Sequence, residues 1–240
     1  MGVWEAGGVQ IAVALAPGVS SDECEAFTAV FEQLADVELV RVASARGRVP
    51  GPGGGQEATA TFDDVLEPDV VVVPGGLGCS NSATDDELGD WLRAVAPVCR
   101  WMVASSTGTV VVAAAGLLDG RSAATHWLAS PLLASYGSDT SPDRVVEVGN
   151  IITCEGHITA MHVALLVTLR LGGPEAVGEV RAGLARAGTV DTASDQPWWA
   201  RWTRWTDRLA ARRPSGPAKP TNRELVAPDV IEFDPVIHHR

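Results

Sequence analysis

Ser106 stands where an apolar run interrupted only by Arg100, residues 98–104, gives way to Ser-Ser-Thr-Gly-Thr and a second apolar run. A strand that turns sharply into a helix projects its corner side chain at the sheet's edge, and the helix amides favour a developing anion there. A serine in that corner could be a nucleophile or a hydrogen-bond donor. Ser105 or Ser106 could equally do no more than cap the helix. The surroundings are not G-x-S-x-G, which weakens an ordinary α/β-hydrolase reading. Glu23 is the second candidate. Ser20-x-x-Glu23 opens an amphipathic segment and fits a capping box, while a carboxyl at a loop-to-helix junction could also serve as general acid or base. His126 ends a short strand, and His157 and His162 flank a helix start after residues 151–156. A lone histidine is more often a packed, hydrogen-bonded residue than a catalyst, but three near strand ends favour at least one lining a site. Gly75 and Gly76 close another strand and leave backbone amides free to face a ligand.

Other chemistries find less support. The four cysteines (Cys24, Cys79, Cys99, Cys154) form no Cys-x-x-Cys pair, and His157 and His162 are poorly spaced for one helical face. No metal and no cofactor is expected. Lys219 is the only lysine and falls in the C-terminal tail, so a Schiff base is set aside. The net charge of −12 argues against nucleic acid and anionic membrane surfaces as partners. The N-terminal stretch lacks a basic segment ahead of its short apolar run, no stretch suits a membrane span, and a cytoplasmic protein with reduced thiols is expected.

The elements that must position these residues alternate. Strands are expected at 9–15, 37–42, 69–73 and 98–104, with shorter ones at 122–125 and 145–153. Helices are expected over 22–34, around Leu88, Trp91, Leu92 and Val95, after Thr109, and over 160–171 and 174–187. Residues 45–56 are a Gly/Pro loop. Strands that are predominantly apolar, separated by helices, indicate a parallel sheet covered on both faces, with chemistry outside the carboxyl ends of its strands. From residue 189 the composition changes. Trp198, Trp199, Trp202 and Trp205 crowd together, followed by a Pro-rich stretch. The expected organisation is one α/β domain over 1–188 and an extension over 189–240, part amphipathic helix and part extended arm. That extension either packs on the domain or a dimer partner, or forms a lid.

Several motifs occur in a telling order: Val-Val-Val-Pro-Gly-Gly (71–76), the corner with Thr107-Gly108, Ala114-Ala115-Gly116-Leu117-Leu118-Asp119-Gly120-Arg121, Ala124-Thr125-His126-Trp127, and Ile152-Thr153 before Gly156. Together they resemble the ThiJ/PfpI superfamily, the class I glutamine-amidotransferase-like fold, and in particular its isonitrile (isocyanide) hydratase branch. The resemblance covers about residues 9–188. It implies a flavodoxin-like three-layer α/β sandwich with a mostly parallel sheet, usually homodimeric, with the site at the Ser106 corner.

The family generally carries a cysteine followed by Thr-Gly-Ala at that corner; this chain has Ser106-Thr107-Gly108-Thr109. Glu23 falls where the branch keeps an acidic residue. His162 replaces a frequent Asp, and Glu155 a small residue. A hydroxyl titrates far above a thiol and needs an adjacent base to attack anything, so thiolate addition and peroxide sensing are lost at this position. Cys154, at a neighbouring strand end, is a substitute thiol or a buried structural cysteine.

The leading expectation is a hydratase, lyase or cyclase that uses acid–base chemistry on a small, fairly apolar substrate. Glu23 moves the proton. Ser106 and amides near Gly76 and Thr107 hold a developing anion, and His126 orients or relays. Gly75, Gly76, Thr107, Cys154, His157 and His162 would contact substrate. The alternatives are a ligand-binding or regulatory protein that has lost the thiol, and a hydrolase built on Ser106 and His126.

Overall fold

The computed structural model describes residues 8–187; the expected tryptophan-rich extension lies outside them. In chain order the elements are β1 (Val9–Ala14), α1 (Ser21–Phe31), β2 (Val37–Ala43), β3 (Gly47–Val49), β4 (Gln56–Ala58), β5 (Ala60–Thr61), β6 (Val70–Val73), α2 (Asp86–Val95), β7 (Trp101–Ser105) and α3 (Gly108–Ala114). They continue with β8 (Ser122–Ala123), α4 (Ser130–Ser135), β9 (Asp139–Thr140), β10 (Val145–Val148), β11 (Ile151–Cys154) and α5 (His157–Arg186).

Seven strands form the central sheet in the order β10-β11-β7-β6-β1-β2-β5, parallel except where β10 pairs antiparallel with β11. Alternation along the strands divides the core in two. Ile11, Val13, Val70, Val72, Trp101, Val103 and Ile152 join the side chains of α1 and α5. Ala12, Ala14, Val71, Val73, Met102 and Ala104 join those of α2 and α3 on the opposite face. Period-2 burial on both faces is what a helix-covered parallel sheet requires, and it makes the protein a three-layer α/β sandwich. From β1 the chain moves to β2 on one side, then returns to lay β6 on the other. This reversal makes the carboxyl ends of β1 and β6 the topological switch point of the sheet, the end at which sheets of this kind take their ligands.

The differences from the sequence expectations have local causes. β7 begins at Trp101 because the amides of Val98 and Cys99 both donate to Val95 O, closing the end of α2 (3.1 and 2.9 Å). The Gly/Pro loop contains an antiparallel pair, β3 with β4, reversed through glycines at positive φ. Residues 145–154 fold as a hairpin that turns at Gly149 (φ 62). α5 takes in both expected helices and breaks between them at Gly173 (φ 74), immediately before Pro174. No helix among the described residues is long and apolar enough to cross a membrane.

At the base of the site, α3 starts hard against the end of β6. A Cβ on Gly108 would lie 2.2 Å from Val73 O, so only glycine lets the helix begin there.

Candidate active site

Ser106 is the only non-glycine residue at positive φ among the described residues (φ 53). For a serine this left-handed conformation costs on the order of 1–2 kcal/mol, and it persists only where the surroundings impose it. The Ser106 amide donates to Cys154 O (2.8 Å), and the Ser106 carbonyl accepts from Thr125 Oγ1 (2.7 Å). Gly75 packs beneath: a Cβ on it would meet Ser106 Cβ at 2.7 Å and Thr107 N at 2.8 Å. The corner is therefore held from three strand ends, and neither serine caps the helix. Thr107 occupies the N-cap of α3, without a side-chain cap. Ser106 Oγ makes no hydrogen bond to any described residue.

Glu23 does not form a capping box, because Ser20 makes no side-chain cap. On α1 it shares the sheet-facing stripe with Phe27, Val30 and Phe31, all buried. Its Oε2 accepts from the hydroxyl of Ser105 at 2.7 Å. Ser105 is the last residue of β7, one before the corner. The hydroxyl bonded to the carboxyl is thus Ser105 and not Ser106. The strand alternation carries the signal: Trp101, Val103 and Ser105 face α1, where Glu23 sits. Burial raises the Glu23 pKa above the ordinary carboxylate range. The Ser105 hydrogen bond, the nearby His157 with its backbone amide, and His126 oppose that rise only in part. The result is a buried carboxyl that keeps its proton to higher pH than an exposed one.

The remaining candidates divide. The Gly76 amide, expected to face a ligand, donates to Thr107 Oγ1 (2.9 Å), whose hydroxyl donates back to Gly76 O (2.8 Å). That reciprocal pair occupies the donor and removes Gly76 from the expected anion site. The amides of Gly75 and Thr107 make no hydrogen bond to described residues and keep that capacity.

His126 is half-buried and close enough to Glu23 to act on its charge. Three threonines strap its segment to the corner: Thr109 Oγ1 donates to Ala124 O (2.9 Å), Thr153 Oγ1 accepts from the Ala124 amide (2.9 Å), and Thr125 reaches Ser106. These threonines were not among the sequence candidates. His126 Nδ1 accepts from the Leu128 amide (3.3 Å), so the neutral ring carries its proton on Nε2. Ser106 and His126 are not hydrogen-bonded.

His157, the first residue of α5, is exposed beside Glu23. His162 is buried one and a half turns further on. Burial, then the charge of Arg144, lowers its pKa to about 4, so it is neutral near pH 7. Arg144 pairs with Glu155 and reaches Thr159 Oγ1 (3.5 Å), which ties His162 to that corner of the sheet. Cys154 lies opposite Ser105 in the β11–β7 register, and burial raises its thiol pKa far above the usual range. Its side chain is wholly buried in the layer beneath α1 and α5, where a thiol stays protonated. Among the described residues no three of His, Cys, Asp and Glu converge as metal ligands.

The DJ-1/PfpI family model matches residues 9–168. The chain belongs to the DJ-1/PfpI family. It is 35% identical over 163 residues to isonitrile hydratase from Pseudomonas putida, covering 65% of this chain and 69% of that protein. It is 34% identical over 185 residues to Protein dj-1beta from Drosophila melanogaster, covering 72% of this chain and 94% of that one. The structure of a ThiJ/PfpI family protein from Pseudomonas syringae superposes with a TM-score of 0.68 at 23% identity, over 85% of this chain and 87% of that one; this is a likeness of fold.

Proposed function

We propose that this family member is an acid–base enzyme whose general acid is Glu23, adding or removing water, or closing a ring, on a small and fairly apolar molecule. One observation carries the reading. A buried carboxyl that keeps its proton to higher pH than an exposed one accepts a hydrogen bond from Ser105, the residue before a strained serine corner that has no thiol. Apolar side chains flank the candidates and suit such a substrate: Leu77 follows Gly76, Trp127 follows His126, and Ile158 follows His157, each more than half exposed.

The likeness to isonitrile hydratase makes isonitrile hydration the first reaction to test. Without a thiol, that hydration begins with a proton. Glu23 protonates the terminal carbon, water adds to the same carbon, and a proton returns to the carboxylate as the adduct becomes the N-substituted formamide. Water is the only co-reactant, and no group of the protein is consumed. The Ser106 hydroxyl and the Thr107 and Gly75 amides serve as hydrogen-bond donors and acceptors for the water and the oxygen it becomes. A Ser106 hydrolase is the weaker reading. His126 Nδ1 already accepts a backbone amide, so the ring offers Ser106 no lone pair to take its proton.

The test is incubation with alkyl and aryl isonitriles in water enriched in oxygen-18. The proposal expects formamide carrying the label, formed catalytically. Isonitrile that persists at the uncatalysed rate removes hydration from the proposal and directs the search to dehydration or cyclisation.

A further inference from the structure

Ser105 has no role in the reaction as described above, yet it holds the acid. Its side chain is fully buried, and its backbone is fixed at the end of β7 opposite Cys154. The hydroxyl carries one hydrogen, and its one hydrogen bond to a described residue is to Glu23 Oε2, at 2.7 Å. A buried donor left unused costs free energy, so that hydrogen stays directed at Oε2. Oε2 is then committed as an acceptor. The His157 backbone amide also favours the charged carboxyl, but no hydrogen bond to a described residue commits Oε1, and the carboxyl's own proton falls to that oxygen, on the Gly156 side: a Cβ on Gly156 would lie 3.7 Å from it.

The strand pattern makes the residue unusual. Trp101 and Val103 precede it on the same face, in the apolar layer beneath α1 and α5. A third apolar side chain would continue the stripe and leave Glu23 Oε2 without a donor.

We infer that Ser105 is a positioning residue that confines the transferable proton of Glu23 to Oε1, on the Gly156 side of the site. This deepens the reading of Glu23 as general acid and rests on it. The proton leaves Oε1 for the substrate and is replaced from the water that adds, while Ser105 keeps its own hydrogen throughout. Because the same hydrogen bond favours the carboxylate, it also limits how far burial raises the Glu23 pKa.

The experiment compares wild type, Ser105→Ala and Ser105→Thr. It follows the Glu23 carboxyl by carbon-13 NMR of glutamate-labelled protein, with the signal assigned by its loss in Glu23→Gln. In Ser105→Ala the Glu23 titration is expected to move to higher pH, and kcat to fall about tenfold with little change in KM, since one hydrogen bond to a charged group is at stake. Ser105→Thr, which keeps the hydroxyl, restores both. In a Glu23→Gln background Ser105→Ala has no further effect on rate.

A Glu23 titration that stays in place in Ser105→Ala overturns the inference, whatever happens to the rate. So does a Ser105→Thr protein that folds but titrates like Ser105→Ala. A titration that moves in a protein with no turnover upholds Ser105's hold on Glu23 and removes only the acid–base reading.

Discussion

Replacing Glu23 by Gln is expected to lower turnover by about 10²–10⁴-fold, the usual contribution of a positioned general acid, while substrate binding stays within a few-fold of wild type. The substitution is close to isosteric, and the amide carbonyl can still accept the Ser105 hydroxyl, so the contact between α1 and β7 survives. What disappears is the proton. An amide does not donate one at neutral pH, and His162, with its pKa lowered to about 4, is neutral and does not replace it. Calorimetric binding alongside initial rates separates the effects: lost turnover with retained binding supports Glu23 as the acid, and unchanged turnover eliminates it.

The second large effect concerns sulfur. All four native thiols are buried. Burial pushes those of Cys24, Cys79 and Cys99 up to about 12 and raises that of Cys154 well above the usual thiol range. At pH 7.5 less than about one thiolate in 10⁴ is present at Cys24, Cys79 or Cys99, Cys154 is wholly buried, and the folded wild type should resist iodoacetamide and peroxide. Ser106→Cys puts a thiol at the strained corner, beside the start of α3, at a position that is 8% exposed where the native cysteines are at 1% or less. At an ordinary thiol pKa of about 8.5 its thiolate population is roughly 10³-fold greater. Intact-mass spectrometry of the folded protein should show a single added adduct, confined to position 106. Rapid alkylation of the wild type would mean that the native thiols are more accessible than the structure has them. A Ser106→Cys protein as inert as the wild type would mean that the corner is closed to small molecules, and with it the proposed site.

Much of this arrangement is legible in the sequence. Apolar runs bounded by Pro-Gly-Gly and by Ser-Ser-Thr-Gly mark the strand ends where the candidates lie, because a covered parallel sheet leaves few other readings for such segments. The corner at Ser106 also follows from chain order alone. Hydrogen-bond partners across 82 residues of sequence do not. The spacing Ser20-x-x-Glu23 fits a capping box, and only the approach of β7 to α1 shows that the carboxyl bonds Ser105 instead. The period-2 alternation of Trp101, Val103 and Ser105 contains that answer once β7 is known to lie on the α1 side. Gly76 shows the opposite limit: its amide looks free until the return of Thr107 Oγ1 is seen. In the Gly/Pro loop, turn residues dominate the composition and hide the two short strands they connect.

The most direct measurement is the pH dependence of kcat/KM for a turned-over substrate, in wild type and in Glu23→Gln. A protonated Glu23 is the active form, so the wild-type rate should be level in acid and fall with unit slope as pH rises through a titration above the ordinary carboxylate range. Glu23→Gln should lack that limb. A wild-type rate that climbs with pH across the same interval, or a falling limb that survives in Glu23→Gln, would contradict the account.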